Sequence, residues 1–452
     1  MKKTLKIFSM FDGVGGFEVG LHAANSELFQ TTFSNQYEPA RKSQDAFEVG
    51  LLKFPDVIHL PQDVQRIPSD TFDQMRKQGV NMIVGGFPCQ DYSVARSKKH
   101  EMGIQGKKGV LFWEIIRAVN HIQPEYLILE NVDRLLKSPS NQRGRDFAIM
   151  LGAFNQLGYS VEWRVINAAE YGRAQRRRRV FFFVYKNDSD IAQKFDNIFE
   201  TKISLFNFDE KKYDDYIFNK GLFARQFPVE PKINKNRHYT QLLSKFHEKD
   251  EEYLIDISEN FTGTIWNSGI MRNGTYYTID TIPIIEKPIT LGDIVNQAKQ
   301  YHIEKYGENN YEEYLLKYLI TDEEKIKKFE YLRGSKKIER TTPDGHTWIY
   351  SEGGMSPYDN LNLPARTMLT SEGSINRSTH LLKTEQGYRL LTPLEAELLQ
   401  DFPEEWTRYK LVDGEVKEVS DKMRYFFMGN ALVTGIVKRI GIELEKLISE
   451  NN

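Results

Sequence analysis

Cys89 is the only cysteine in 452 residues, and it stands in Val84-Gly85-Gly86-Phe87-Pro88-Cys89-Gln90, a glycine and proline turn just beyond an apolar run. A lone cysteine is more often a small core residue than a reactive one. Here the flanking Gly-Gly and Pro predict a tight, exposed loop at the end of a buried strand, where active-site groups of open α/β sheets gather. A thiol of reference pKa about 8.5 needs local activation to act as a nucleophile, and nearby arginines can provide it. Two further groups fit that chemistry. Glu130, in Tyr126-Leu127-Ile128-Leu129-Glu130-Asn131-Val132, also follows an apolar run and should emerge at the same edge, as a general acid or, more blandly, as a helix cap. Gln175-Arg176-Arg177-Arg178-Arg179 enters another run, where alternation sends Arg177 and Arg179 to one face, able to neutralise charge that develops as a thiolate adds to a substrate.

A ligand loop is the fourth element. Phe11-Asp12-Gly13-Val14-Gly15-Gly16-Phe17 lies between a candidate strand and a candidate helix, so its backbone could approach a ligand at the sheet edge. A dinucleotide fingerprint wants a glycine where Glu18 stands, which weakens a nicotinamide or flavin reading. A cofactor without a pyrophosphate, such as a sulfonium nucleoside, suits this short turn better. Glu38 and Asp63 follow the next two candidate strands, where a carboxylate can meet ribose hydroxyls, although either could be a surface acid.

The elements that must position these groups read as an α/β pattern. Apolar runs at residues 5–11, 80–84, 126–130 and 180–185 predict strands of a parallel sheet, and residues 110–122 carry one apolar stripe at helical spacing. From about residue 190 the texture turns polar, with Asn-Gly, Gly-Thr and proline turns that predict irregular β structure in a second domain. Amphipathic helix patterns return after Arg389 and at residues 433–447. The expected division is therefore 1–189, 190–388 and 389–452, the last returning to the first domain. A single cysteine excludes an intramolecular disulfide and a multi-cysteine zinc site, and nine scattered histidines suggest no metal cluster. No apolar stretch long enough to span a membrane or signal-like leader is visible, so a cytoplasmic protein is expected. Net charge is only −2, so any nucleic-acid reading rests on local basic patches, at Arg173 with Arg176 to Arg179 and at Arg96, Lys98, Lys99, Lys107 and Lys108.

Taken in order, FxGxGG, PCQ, ENV, QxRxR, then Arg389-Leu390-Leu391-Thr392-Pro393-Leu394-Glu395, Leu399-Gln400, Phe402-Pro403 and Gly429-Asn430-Ala431 resemble the DNA cytosine-5 methyltransferase family. The motifs leave only about residues 190 to 360 uncovered. The resemblance implies an α/β, Rossmann-like S-adenosylmethionine-dependent methyltransferase domain with a mostly irregular or β target recognition domain. It implies Cys89 as nucleophile toward C6 of a flipped cytosine, Glu130 as acid at N3, and Arg177 and Arg179 holding the base, its backbone and the active-site loop. Phe11, Gly13, Gly15, Gly16 and Pro88 would line the cofactor, Glu38 would take the ribose, Asp63 the adenine amino group, and Asn430 would close the pocket. Double-stranded DNA is the implied partner, with base readout in residues 190–388. A bacterial restriction-modification type is implied, acting as a monomer beside a restriction endonuclease. Departures are Asp91-Tyr92-Ser93 after the PCQ turn, Pro39 after Glu38, Gln62 before Asp63, and Asp401 where a glycine is common. Rival readings are a tRNA-methylating relative, against which the long insert argues, and a catalytically dead DNA-binding scaffold, which should lack Cys89 or Glu130.

Overall fold

The computed structural model describes residues 3–87, 110–196, 198–199, 209–232, 237–241, 251–341 and 345–449; Pro88, Cys89 and the basic patch from Arg96 to Lys108 lie outside them. The chain divides into two compact units. One holds Met1–Tyr171, Arg178–Glu286 and Thr434–Asn452, the other Gly172–Arg177 and Lys287–Val433.

The first unit is built on strands β1 (Leu5–Met10), β2 (Phe29–Asn35), β3 (Ile58–Leu60), β4 (Val80–Gly86), β5 (Tyr126–Val132), β6 (Tyr159–Asn167), β7 (Arg178–Lys186), β8 (Val229–Pro231), β9 (Arg237–Gln241), β10 (Ser268–Arg272), β11 (Thr275–Ile279) and β12 (Thr281–Pro283). Among the described residues, ten of them form one sheet in the order β3-β2-β1-β4-β5-β7-β6-β10-β11-β9. Met82, Ile83 and Val84 of β4, Leu127 to Leu129 of β5 and Val180 to Tyr185 of β7 are all buried, as unbroken apolar runs covered on both faces must be. The helix Val110–Ile122 lies where its periodicity predicts, burying Phe112, Ile115, Ala118, Val119 and Ile122, with Leu111 and Ile116 only partly covered.

Only part of the sheet is parallel, contrary to the expectation. Strands β3, β2, β1, β4 and β5 run parallel, but β7 is antiparallel to both β5 and β6, and β10, β11 and β9 continue antiparallel. A strand buried on both faces has the same composition in either direction, so its pattern carries no sign. The change of texture at residue 190 also differs from the division of the units. Residues 190–286 stay with the first unit because β10 and β11, buried throughout, extend its sheet. The polar segment is also more helical than its turns predict, with helices at Glu251–Asn260, Leu291–Tyr306, Glu308–Leu316 and Glu323–Arg333.

The second unit contains those last three helices, the helices Pro393–Leu399 and Asp421–Asn430, and small antiparallel sheets. These are β13 (Leu319–Ile320) with β17 (Gly387–Arg389) and β16 (Leu382–Thr384), β14 (Lys336–Thr341) with β15 (Thr347–Glu352), and β18 (Tyr409–Val412) with β19 (Glu415–Glu418). The Arg389 to Glu395 motif is structural: Thr392 and Glu395 close a capping box on Pro393–Leu399, and Arg389 grips Glu395 through two bonds of 2.8 and 2.6 Å. No helix among the described residues is long and apolar enough to cross a membrane.

In the first unit the helix Gly16–Asn25, which follows the glycine loop, packs on Thr434–Ser449. A Cβ on Gly20 would sit 2.6 Å from Val437 Cβ and 2.7 Å from the Thr434 carbonyl oxygen, and one on Gly441 2.8 Å from Ala24 Cβ. Alanine gains up to about 1 kcal/mol of helix propensity over glycine, but overpacking a close contact costs about 1–3 kcal/mol. We expect the packing cost to win, so Gly20→Ala should lower the midpoint of urea unfolding. A midpoint equal to or above wild type would show that the two helices separate freely.

Candidate active site

Because β1, β2, β3, β4 and β5 are parallel, their C-terminal ends share one edge of the sheet. The order changes direction at β1 and β4, since β1 is followed outward by β2 on one side and by β4 on the other, and such switch points open a crevice for ligands. The candidate residues on β1 to β3 cluster there. Phe11 has φ 56°, a left-handed conformation unusual for a bulky residue, and Gly13 and Gly15 follow at φ 62° and 83°. Gly15 N-caps the helix Gly16–Asn25, and a Cβ on it would lie 2.4 Å from the Phe54 ring. A Cβ on Gly13, in contrast, would meet nothing within 4 Å among the described residues. The Gly13 N–H donates to Gln36 Oε1 at 2.8 Å, holding the loop against the residues that follow β2.

Glu38 and Asp63 stand after β2 and β3 as expected, and each has a partner. Glu38 is half-buried and ion-paired with Arg41 at 2.9 Å. Burial raises its carboxyl above the usual range, and Arg41 opposes that shift. Asp63 Oδ1 accepts from the Gln65 N–H at 3.0 Å and so caps the turn Val64–Arg66. An open loop at a helix N-terminus beside two carboxylates fits a cofactor with an anionic amino-acid end and a hydroxylated nucleoside end.

β4 and β5 bring the second group together. Gly86 is aligned with Glu130, and a Cβ on Gly86 would lie 3.1 Å from Glu130 Oε2. Glu130 is not a helix cap: the following turn, Asp133–Lys137, is capped by Val132 without a side-chain bond. Its Oε1 instead forms an ion pair with Arg179 Nε at 2.8 Å, both side chains largely buried. Asn131, which the sequence reading passed over, donates from Nδ2 to the Phe87 carbonyl at 2.9 Å, and its Oδ1 accepts from the Val132 N–H. It thereby ties the end of β5 to the last described residue before Pro88 and Cys89. An asparagine next to a strand-end acid was the available signal.

Arg177 does not share a strand face with Arg179, contrary to the alternation argument, because β7 begins only at Arg178. Arg177 belongs to the second unit, where its buried guanidinium donates to the carbonyls of Met368 at 3.1 Å and Gly429 at 2.9 Å. Residues 174–176 run beside Ala365, and Gln175 accepts from the Met368 N–H while donating to the Leu399 carbonyl. Asn430 is the exposed last residue of the helix Asp421–Asn430, also in the second unit. Asp401, where a glycine is common, has φ 57° and pairs with Arg173 at 3.4 Å; aspartate tolerates that region better than most residues.

A buried acid pair under the glycine loop was also not foreseen. Asp12 accepts from Ser9 Oγ at 3.0 Å and from Ser34 Oγ at 3.2 Å. Glu18, in the first turn of the helix, is fully buried, and among the described residues neither oxygen meets a donor in hydrogen-bonding geometry. Burial and then the adjacent Asp12 carboxylate raise the Glu18 carboxyl well above its ordinary 4.5. A neutral Glu18 leaves the positive end of the helix available to an anionic ligand group. The folded state then keeps a proton that the unfolded chain has already released, so stability falls as pH rises above 4.5 and levels off beyond the raised value. Glu18→Gln should flatten that fall, which amounts to at most about 1.4 kcal/mol per pH unit for one proton. Urea unfolding at several pH values would test it, and parallel slopes for the two proteins would refute the protonated state.

Comparison with known proteins identifies the family. The family description C-5 cytosine-specific DNA methylase matches residues 5–446. The chain is 49% identical over 448 residues to Type II methyltransferase M.Sau3AI of Staphylococcus aureus, covering 99% of this chain and 97% of that protein. It is 31% identical to Type II methyltransferase M.FnuDI of Fusobacterium nucleatum over 42% of this chain and 49% of that one. In fold it is similar to the S. pombe Dnmt2 methyltransferase, with TM-score 0.55 at 14% identity, covering 98% and 99% of the two chains. A match over nearly the whole length, together with a relative of such identity, means that this chain belongs to the C-5 cytosine-specific DNA methylase family.

Proposed function

We propose that this protein methylates C5 of a cytosine within a specific duplex DNA sequence, with Cys89 as nucleophile and Glu130 as acid. It would do so as the protective methyltransferase of a type II restriction-modification system, acting as a monomer beside a separate endonuclease. The observation that carries the reading is the pairing of Glu130 with Arg179 at the end of β5, level with Gly86 and next to the glycine loop of β1. S-adenosylmethionine, when bound, supplies an activated methyl group, and the residues that would hold it are Phe11, Gly13, Gly15, Gly16, Glu38, Asp63, Pro88 and Asn430.

The protein's own groups must solve a problem of reactivity. C5 of cytosine is a poor nucleophile, and its ring atoms are inaccessible inside a stacked duplex, so the base must swing out. Addition of the Cys89 thiolate to C6 forms a C–S bond and pushes electron density toward C5 and N3. Glu130, entering the step as the acid, would give its proton to N3 as that density arrives, and Arg179, its partner in the absence of substrate, would hydrogen-bond to the neighbouring O2. Once C5 has gained the methyl group, loss of its proton to a base would re-form the C5–C6 double bond as the bond from C6 to sulfur breaks, freeing the Cys89 thiolate while N3 returns its proton to Glu130. Arg177 acts at one remove, by fixing the Met368 and Gly429 carbonyls. Sequence readout is assigned to residues 190–388, because phosphate contacts carry no sequence information and the catalytic elements are occupied with the base.

Labelled S-adenosylmethionine with mixed-sequence DNA, followed by sequencing of modified cytosines, tests the activity. Duplex carrying 5-fluorocytosine at the target should form a denaturant-stable complex with the wild type and none with Cys89→Ser; trapping that survives the substitution would remove Cys89 from the mechanism. Glu130→Gln should slow single-turnover methylation by about 10²–10⁴ or more, the usual worth of general acid catalysis. A rate near wild type would leave Glu130 only its structural pairing with Arg179.

A further inference from the structure

One segment of the second unit has a charge pattern that neither basic patch of the sequence reading includes. Residues 325–340 contain Lys325, Lys327, Lys328, Arg333, Lys336, Lys337 and Arg340 against two acids, Glu330 and Glu339, in a chain of net charge −2. The preceding Glu323 and Glu324 hide this run from a wide composition window. In the structure it forms the helix Glu323–Arg333 and then β14, which among the described residues pairs only with β15.

The ribbon of β14 and β15 is exposed on both faces for most of its length. Ile338 is 37% exposed, Trp348 41% and Ile349 64%, which is costly apolar exposure for a ribbon that covers nothing. On one face Lys336, Ile338 and Arg340 oppose Glu352, Tyr350 and Trp348. The Arg340 guanidinium lies 4.2 Å from the Tyr350 ring centroid and 5.8 Å from that of Trp348, so the rings orient it as a flat donor. At the base Glu352 is neutralised by Lys336 at 3.4 Å and Arg377 at 3.2 Å.

That base is rigid. Arg333 is buried and donates to the Ser356 carbonyl, Asp359 and the Thr379 carbonyl at 3.0, 2.8 and 2.6 Å, and the Met355 N–H donates to the Arg333 carbonyl at 2.9 Å. Arg377 donates to the carbonyls of Leu332, Gly334 and Gly353. The two chain segments that enter and leave the ribbon are thus both held at its base, while its strands are largely exposed. The other exposed ribbon, β18 with β19, has Asp413, Glu415 and Glu418 against Lys410 and Lys417 and does not share the charge.

We infer that the ribbon of β14 and β15 is a groove-reading element for duplex DNA, with Arg340 and Trp348 contacting base edges and Lys327 and Lys328 contacting phosphates. This rests on the proposed DNA methylation. A two-stranded ribbon fits the major groove, a fixed guanidinium matches the acceptor pair of guanine, and exposed Ile and Trp side chains suit the methyl group of thymine.

The test uses full-length protein, a duplex library with every single base-pair change in the preferred site, and equilibrium binding alongside methylation. Arg340→Ala and Trp348→Ala should each reduce discrimination at one or two base pairs by about ten- to hundredfold, the worth of a good base contact. Lys327→Ala and Lys328→Ala should weaken binding to all sequences alike and lower the salt dependence by about one ion each, leaving the preferred site unchanged. Thermal unfolding and S-adenosylmethionine calorimetry equal to wild type would certify each variant as folded. Folded variants that keep wild-type discrimination and affinity overturn the inference. So does a ribbon substitution that changes only self-association in sedimentation. If wild type binds a preferred site but leaves C5 unmodified, the methylation reading fails, whereas the binding comparison still decides the role of the ribbon.

Discussion

Strand β4 ends in two residues without side chains, and the arrangement of the site depends on that. A Cβ on Gly85 would lie 2.7 Å from the Met10 carbonyl oxygen, and one on Gly86 would crowd Glu130. With neither present, β1 and β5 flank β4 at normal sheet spacing right to their ends. The glycine loop, the strand end that leads into Pro88 and Cys89, and the carboxylate of Glu130 therefore occupy three neighbouring positions on one edge. Asn131 adds a bond at that strand end, donating to the Phe87 carbonyl beyond the strand ladder.

What could be read in the sequence follows from which forces leave local traces. The four chosen strands and the helix Val110–Ile122 are present because burial writes itself into continuous or periodic apolar runs. Phe11 to Gly16, Glu38 and Asp63 fell on one edge because strand ends are marked by glycines and acids. Direction was not legible for β7, and neither was the attachment of β10 and β11 to the same sheet, since partners distant in sequence decide both. Arg177 and Arg179 look equivalent in a run of four arginines, yet the chain leaves one compact unit between them. Glu18 read as a missing glycine, although its significance is its burial beside Asp12, which no pattern of spacing announces.

The second unit shows how few strand pairs can hold a fold when arginines are buried in it. Arg177, Arg333, Arg389 and Arg424 are all within 7% exposure; the first, second and fourth grip carbonyls or carboxylates of distant segments, and Arg389 grips Glu395 of the helix that follows it. A guanidinium offers five donors in a fixed plane, enough to satisfy several loop carbonyls at once. Asp359 shows the electrical side of this economy: burial alone would raise its carboxyl, but bonds from Arg366 and Arg333 and the nearby His380 hold it well below the ordinary range. Such ties are directional, so they set loop geometry in a way that apolar packing does not.

The helix Thr434–Ser449 packs on Gly16–Asn25, although almost the whole chain separates them. During synthesis the face around Gly20 and Leu21 must wait for residues more than four hundred positions later, roughly 20 to 80 s at about 5–20 residues per second. The first unit can therefore close only after the second has been made. A chain stopped anywhere before residue 434 would leave the face around Gly20 and Leu21, which leads out of the glycine loop, without the helix that covers it.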